Sequence, residues 1–247
     1  PNLFLGQPQT SKAIMKLPIY ADLSHGQKEA VDLDLNRSCI VTGPPGSGKT
    51  VVAIHRTNEA NLKNRPNSYL MYNRVLESYV NDAADTPEAG IDLANTEKRT
   101  FHSWFGKLYS TTFGGRWAPQ KEKFVYDWPR IIPEVEPLVQ TQKDGSYGDF
   151  FIDEGQDLPK EFYKFVDLLG MTISIYADEY QRITSTSTTL NEIQVNSGID
   201  YVIHLETNFR NPQAIADLAA HIAKFTGTPG DNEINVANLE KDLPGQK

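Results

Sequence analysis

The sequence predicts an α/β protein, a parallel sheet with helices on both faces and a small insertion. Three observations lead there. Short apolar runs of strand length alternate with segments of helix length along most of the 247 residues. GPPGSGKT, residues 43–50, joins one such strand to one such helix. DFFID, residues 149–153, is a second strand that runs directly into paired carboxylates, Asp153 and Glu154. Ligands bind at the carboxyl ends of strands in an open parallel sheet, which gives that charge a place.

Taken in order, residues 1–22 read as an irregular extension. The chain opens on Pro1 rather than Met, so the natural start is expected upstream or removed. Ser24 with Gln27 forms a capping box, which starts a helix in LSHGQKEAVDLDLN. SCIVTG, 38–43, is a buried strand ending on glycine, and a helix from Lys49 to about Leu62 follows. SYLMY, 68–72, is strand-like, RVLESYVNDAA, 74–84, helical, and TPEAGIDLANTEK a loop. RTFHSWFGKLY begins as a short strand and turns helical near His102. Residues 112–147 mix Gly, Pro, aromatics and charge and read as the insertion. After DFFID come a helix in PKEFYKFVDLLG and strands in MTISIYAD and YVIHLE. A helix in NPQAIADLAAHIAKF follows, and residues 226–247 hold little that could form a core.

Composition bounds the function. With 39% apolar and 23% charged residues, the chain makes one large domain or somewhat more. No run approaches the ~18 apolar residues of a membrane span, and no charged segment followed by an apolar one opens the chain as a secretory signal would. The single cysteine, Cys39, excludes internal disulfides and cysteine-clustered zinc, and within SCIV it reads as a buried, inert thiol. His25, His55, His102, His204 and His221 show no metal-binding spacing. A cytoplasmic protein is expected. The net charge of −8 argues against a general polyanion surface. Its distribution is uneven. Residues 1–130 carry 16 Lys and Arg against 13 Asp and Glu, whereas residues 131–247 carry 8 against 19. Any nucleic-acid surface is therefore expected on the first half.

GPPGSGKT matches G-x-x-x-x-G-K-[ST] in full, between a strand and a helix. Gly43, Gly46 and Gly48 allow backbone N–H groups, with that of Ser47, to turn inward and cradle phosphates at a helix N-terminus. Lys49 is expected to reach the outer phosphates of ATP, and the Thr50 hydroxyl to ligate Mg²⁺. Asp153 is expected to hold the same Mg²⁺, directly or through water, leaving Glu154 to orient and deprotonate the attacking water. The alternative is an acidic cluster that complements the dipole of the helix after Pro159, a role that fits Asp157.

Other segments refine the class. Gln27 precedes the glycine-rich loop, and SYLMYNRVLESYV and RTFHSWFGKLY lie between that loop and the acidic strand. IYADEYQRI and HLETNFRNPQAI close the series. In this order, over residues 23 to about 220, the chain resembles the superfamily 1 helicases of the UvrD/Rep type, with a RecA-like P-loop NTPase fold. The resemblance implies that Gln27 reads the adenine edge, with the capping box as its competing role. It implies Phe209 against the adenine ring, Gln181 as sensor of the γ-phosphate and Arg210 as arginine finger, with a helix-terminal surface charge as the alternative for Arg210. It also implies a single strand of nucleic acid, DNA rather than RNA, touched by Asn73, Arg74 and the segment Thr100, Phe101 and His102. Phe101 or Trp104 then stacks on bases or belongs to the core, and Lys98 and Arg99 with Arg74 meet phosphates.

The pattern departs from the family in three places. QRITSTSTTL lacks the aromatics that many relatives place after the sensor glutamine, so the usual stacking platform is in question. Val51 stands where many relatives have an arginine. The family's remaining motifs are absent from residues 211–247. The expected organisation is an extension over 1–22, a RecA-like domain over 23–200 and the start of a second such domain over 201–247, with the remaining helicase domains or a protein partner completing the cleft. A nucleotide-dependent switch or adaptor, and a small-molecule kinase, are the competing classes.

Overall fold

The computed structural model describes residues 17–72, 80, 90–139, 148–178 and 187–209. Its main sheet has six strands. They are β1 (Cys39–Thr42), β2 (Asn67–Met71), β3 (Thr96–Thr100), β6 (Asp149–Ile152), β7 (Thr172–Ala177) and β8 (Val202–His204). The spatial order is β3-β2-β6-β7-β1-β8, with every pairing parallel. Strands β4 (Gln120–Glu122) and β5 (Val125–Tyr126) form a separate antiparallel hairpin. The helices are α1 (His25–Asp32), α2 (Lys49–Leu62), α3 (Phe101–Thr112), α4 (Trp128–Val139), α5 (Lys160–Leu168) and α6 (Leu190–Ser197).

The strand sequences are apolar on both sides because both faces are covered. Ile40, Leu70, Phe150, Ile152, Ile173 and Ile175 point to one face, where α3, α5 and α6 pack. Cys39, Val41, Tyr69, Met71, Phe151 and Tyr176 point to the other, against α1 and α2. Burying each of the large side chains contributes roughly 1.5–3 kcal/mol. Cys39 is buried and free, as its apolar run implied.

The two helices of the second face are tied by an unusual group. Arg56 of α2 is fully buried, and no acidic side chain pairs with it among the described residues. Its guanidinium donates instead to the carbonyls of Ala30, Val31, Leu33 and Asp34, and its Nε to Ser174 Oγ at 3.0 Å. Ala30 and Val31 lie in the last turn of α1, where the helix dipole is negative, and Leu33 and Asp34 follow it, so the arginine caps the helix and the helix offsets its charge.

Three sequence expectations change. The YVIHLE strand was assigned to a second domain, but β8 pairs in parallel with β1 and completes the first sheet's edge. The backbone N–H of Leu205 continues the pairing to Thr42 O at 2.7 Å. The insertion, to which no elements were assigned, contains the hairpin and α4, whose internal Pro133 and Pro137 hide its helical pattern. Helix α6 was not expected, although Thr189 and Glu192 form a capping box at its start. The helices expected over 74–84, apart from Val80, and over 211–225 lie outside the described residues.

Candidate nucleotide site

The glycine-rich loop leaves the carboxyl end of β1 and enters α2. A Cβ on Gly43 would sit 2.5 Å from Leu205 O and 2.8 Å from Ser47 Oγ, so only glycine lets β8 close on the loop. Gly48 caps α2 at φ 85°, in the left-handed region that admits glycine without strain. Ser47 Oγ, in the same loop, is buried with no hydrogen-bond partner among the described residues. Lys49 is the first residue of α2, and its Nζ donates to Gly43 O at 2.7 Å, Pro44 O at 3.2 Å and Asp178 Oδ2 at 3.2 Å. The loop thus carries a lysine held against carbonyl and carboxylate oxygens, the type of partner a phosphate replaces.

The acidic doublet follows β6, with β7 between it and the strand that feeds the loop. Even so, the Thr50 hydroxyl lies near enough to the Asp153 carboxylate to favour its charged form. Tyr69 Oη donates to Asp153 Oδ2 at 2.9 Å, and the Glu154 N–H to Asp153 Oδ1 at 3.1 Å. Asp153 is 2% exposed, and no lysine or arginine pairs with it among the described residues. Burial, reinforced by the neighbouring Glu154 charge, pushes its pKa up to about 6, and the two hydroxyls offset only part of that rise. An oxygen-only pair of Thr50 and Asp153, short of positive charge, suits a hard divalent cation such as Mg²⁺.

Glu154 adopts φ 53°, a left-handed conformation that a long side chain rarely takes. Gln156 Nε2 donates to Glu154 Oε2 at 2.7 Å, while Gln156 Oε1 accepts from the Asp178 N–H at 2.9 Å. With Lys49 on Asp178, a continuous polar path joins the acidic doublet to the lysine of the loop. Gln156 and Asp178 were missed in the sequence. Asp178, ending MTISIYAD, carried the same strand-into-charge signal as Asp153, whereas nothing local marked Gln156.

Gln27 engages in more than its cap. Its Oε1 accepts from the Ser24 N–H at 2.9 Å, and its Nε2 donates to Ser47 O at 2.9 Å, so α1 is pinned to the loop. The Phe209 N–H donates to Gly46 O at 2.9 Å, which brings the NFR segment onto the same loop. Gln181, Arg210, Asn73 and Arg74 lie outside the described residues. Thr100 ends β3 and His102 lies in the first turn of α3 at the sheet's carboxyl edge. Phe101 does not join them as a base-binding residue. It is 1% exposed and packs against Phe105 and Phe162, and Trp104 likewise packs on Phe150, because that stretch of α3 faces the core.

No family model matches the chain, and no curated protein matches it. Among solved structures it is similar to the Pif1 helicase of Candida albicans, with a TM-score of 0.52 and 14% identity over 81% of this chain and 44% of that one. Weaker likenesses include AMPPCP-bound DnaA from Aquifex aeolicus, with a TM-score of 0.36, 13% identity and coverage of 85% and 52%. Domain III of Thermotoga maritima DnaA gives a TM-score of 0.35 and 13% identity, covering 86% and 72%. The chain spans less than half the length of the Pif1 chain it matches. No helix among the described residues is long and apolar enough to cross a membrane. The parallel sheet, the glycine-rich cradle after β1 and the Pif1 likeness together make this a RecA-like P-loop NTPase fold.

Proposed function

We propose that the chain is the ATP-binding and hydrolysing portion of a UvrD-like helicase. In the full-length protein it couples Mg-ATP hydrolysis to movement along single-stranded nucleic acid, DNA rather than RNA. The observation that carries this reading is the polar path from Lys49 of the phosphate cradle through Asp178 and Gln156 to Glu154, beside the buried Asp153. Thr50 and Asp153 hold Mg²⁺, which when bound neutralises charge on the phosphate oxygens. Lys49 exchanges Gly43, Pro44 and Asp178 oxygens for those of the outer phosphates. The N-terminus of α2 and the inward N–H groups of the loop bind the same anion. Glu154, held through Gln156, orients the attacking water and accepts its proton. Gln27 and Phe209 frame the adenine, and Gln181 and Arg210 approach the γ-phosphate. The backbone bond of Phe209 to Gly46 supports the role of its neighbour Arg210, and such an arginine contributes ~10³-fold or more in rate.

Glu154→Gln is the decisive variant. It is expected to bind nucleotide as the parent does and to lose hydrolysis by about 10²–10⁴-fold, read as phosphate release beside binding of a fluorescent ATP analogue. Hydrolysis at the parental rate would remove Glu154 as the base. The acidic second half of the chain, 8 Lys and Arg against 19 Asp and Glu, favours a second reading as a nucleotide-dependent switch. Stimulation of hydrolysis by single-stranded DNA at low salt supports the helicase, and its absence supports the switch.

A further inference from the structure

We propose that Phe124, at the tip of the β4–β5 hairpin, and His102, in the first turn of α3, form a stacking platform for one base of the bound strand. The inference rests on the nucleic-acid reading above and extends it, since the segment after the sensor glutamine carries no aromatics and Phe101 and Trp104 are core.

The platform is made of side chains from three elements. The His102 ring lies 5.0 Å from that of Phe124 and 6.4 Å from that of Tyr72, which follows β2. Phe124 is 58% exposed and Tyr72 39%, so two of the three rings are open to solvent, with the half-buried His102 between them. Tyr126 lies 5.6 Å from His102 on its buried side and supports the ring from below. His102 Nδ1 is buried with no hydrogen-bond partner among the described residues. Burial also lowers the imidazole's pKa, and a neutral ring stacks on a base without a charge to desolvate.

The backbone at the tip points the same way. Lys123 and Phe124 form a two-residue turn between the paired Glu122 and Val125, and Phe124 takes φ 66°. Glycine or asparagine fills that conformation without strain, so a bulky aromatic there carries a backbone cost that a role for its side chain would offset. Its surface is exposed and apolar, yet it lies within the most basic stretch of an acidic chain. Residues 98–126 hold six Lys and Arg against one Glu, whereas the whole chain carries −8. Four of those cations have acidic neighbours: Arg99 and Lys107 share Glu97, Arg116 meets Glu134, and Lys121 lies 3.9 Å from Asp127. Lys98 and Lys123 have no ion pair among the described residues. Lys123 Nζ stands 5.4 Å from the centre of the Phe124 ring. Aromatic faces beside spare cations match a strand that offers bases and phosphates alternately, and they match a protein partner's apolar patch poorly. The platform also sits at the carboxyl edge of β2 and β3, the edge that carries the nucleotide loop on β1.

The test compares oligothymidylate with an abasic strand of equal length, which keeps the phosphates and removes the bases. Binding is measured by fluorescence anisotropy with the full-length protein at several salt concentrations. The parent is expected to bind oligothymidylate about tenfold more tightly than the abasic strand. Phe124→Ala lies on an exposed tip and is expected to bind both strands at the abasic level, with the salt dependence unchanged, and Phe124→Trp to restore the preference. A parent that binds both strands equally, or a Phe124→Ala variant that keeps the tenfold preference, overturns the platform while leaving the helicase reading intact. A protein that binds neither strand at low salt overturns both.

Discussion

Strand β6 carries a buried carboxylate at each end, and the two are treated in opposite ways. Asp149 opens the strand and is clasped by Arg65, with Nε to Oδ2 at 2.6 Å and Nη2 to Oδ1 at 2.7 Å. Arg65 is itself steadied by Asn36 at 2.7 Å. Asp153, just past the strand's other end, receives the Tyr69 hydroxyl, its neighbour's N–H and no cation among the described residues. At the amino edge of the sheet the fold neutralises its own charge with a bidentate pair. At the carboxyl edge it buries negative charge and leaves the neutralising to a ligand. A group that is costly in the free protein but complementary to a bound one marks a binding site better than a satisfied ion pair does.

The contrast breaks most visibly at Asp149. Asp149→Ala leaves Arg65, itself 31% exposed, without its partner, and about 2 kcal/mol of stability is expected to be lost, read as a shift in the urea midpoint. Nucleotide affinity of the folded fraction should not change. A variant that kept its stability and lost nucleotide would put the functional end of the strand at the wrong edge.

Asp153→Asn should do the reverse. Removing an uncompensated buried charge is expected to raise the stability of the nucleotide-free protein by about 1–2 kcal/mol at neutral pH, while Mg²⁺-dependent nucleotide binding is lost. Destabilisation with binding intact would make Asp153 an ordinary structural residue. The smallest effect is the pH dependence of that gain. Asp153 titrates near 6 in the folded protein and near ~3.9 when unfolded, so between those values the folded state binds the extra proton. Its contribution therefore weakens folding as pH rises through that window. The stability gap between Asp153→Asn and the parent should widen from about pH 4 to about pH 6 and stay level above it. A gap independent of pH would mean that the carboxylate ionises freely, and the contrast with Asp149 would then dissolve.

Legibility in the sequence followed the range of the interactions. Helix α2 runs over Lys49–Leu62 as read, because glycine conformations and a strand-to-helix junction are local. Helix α1 was readable from Ser24 and Gln27 for the same reason, but the second bond of Gln27, to Ser47 O, joins segments distant in sequence and left no local trace. Phe101 and Trp104 had the spacing of either a core or a platform, and only the arrival of Phe105, Phe150 and Phe162 decided for the core. The hairpin's aromatic tip went unread because Phe124 occupies a turn position where the usual signals are glycine and asparagine. Helix α6 was a missed local signal, for its Thr189–Glu192 capping box was there to be found.

By itself the sequence determined the alternation of strands and helices, the phosphate cradle at Gly43–Thr50 and the acidic doublet at Asp153 and Glu154, all of which are written within single turns or strands. The tertiary structure decided that β7 separates the two loop-bearing strands, and that β8 belongs to this sheet. It also decided that Gln156 and Asp178 connect the doublet to Lys49. Strand order and side-chain partners depend on contacts between segments tens of residues apart, and no periodicity or spacing along the chain records which segments will meet.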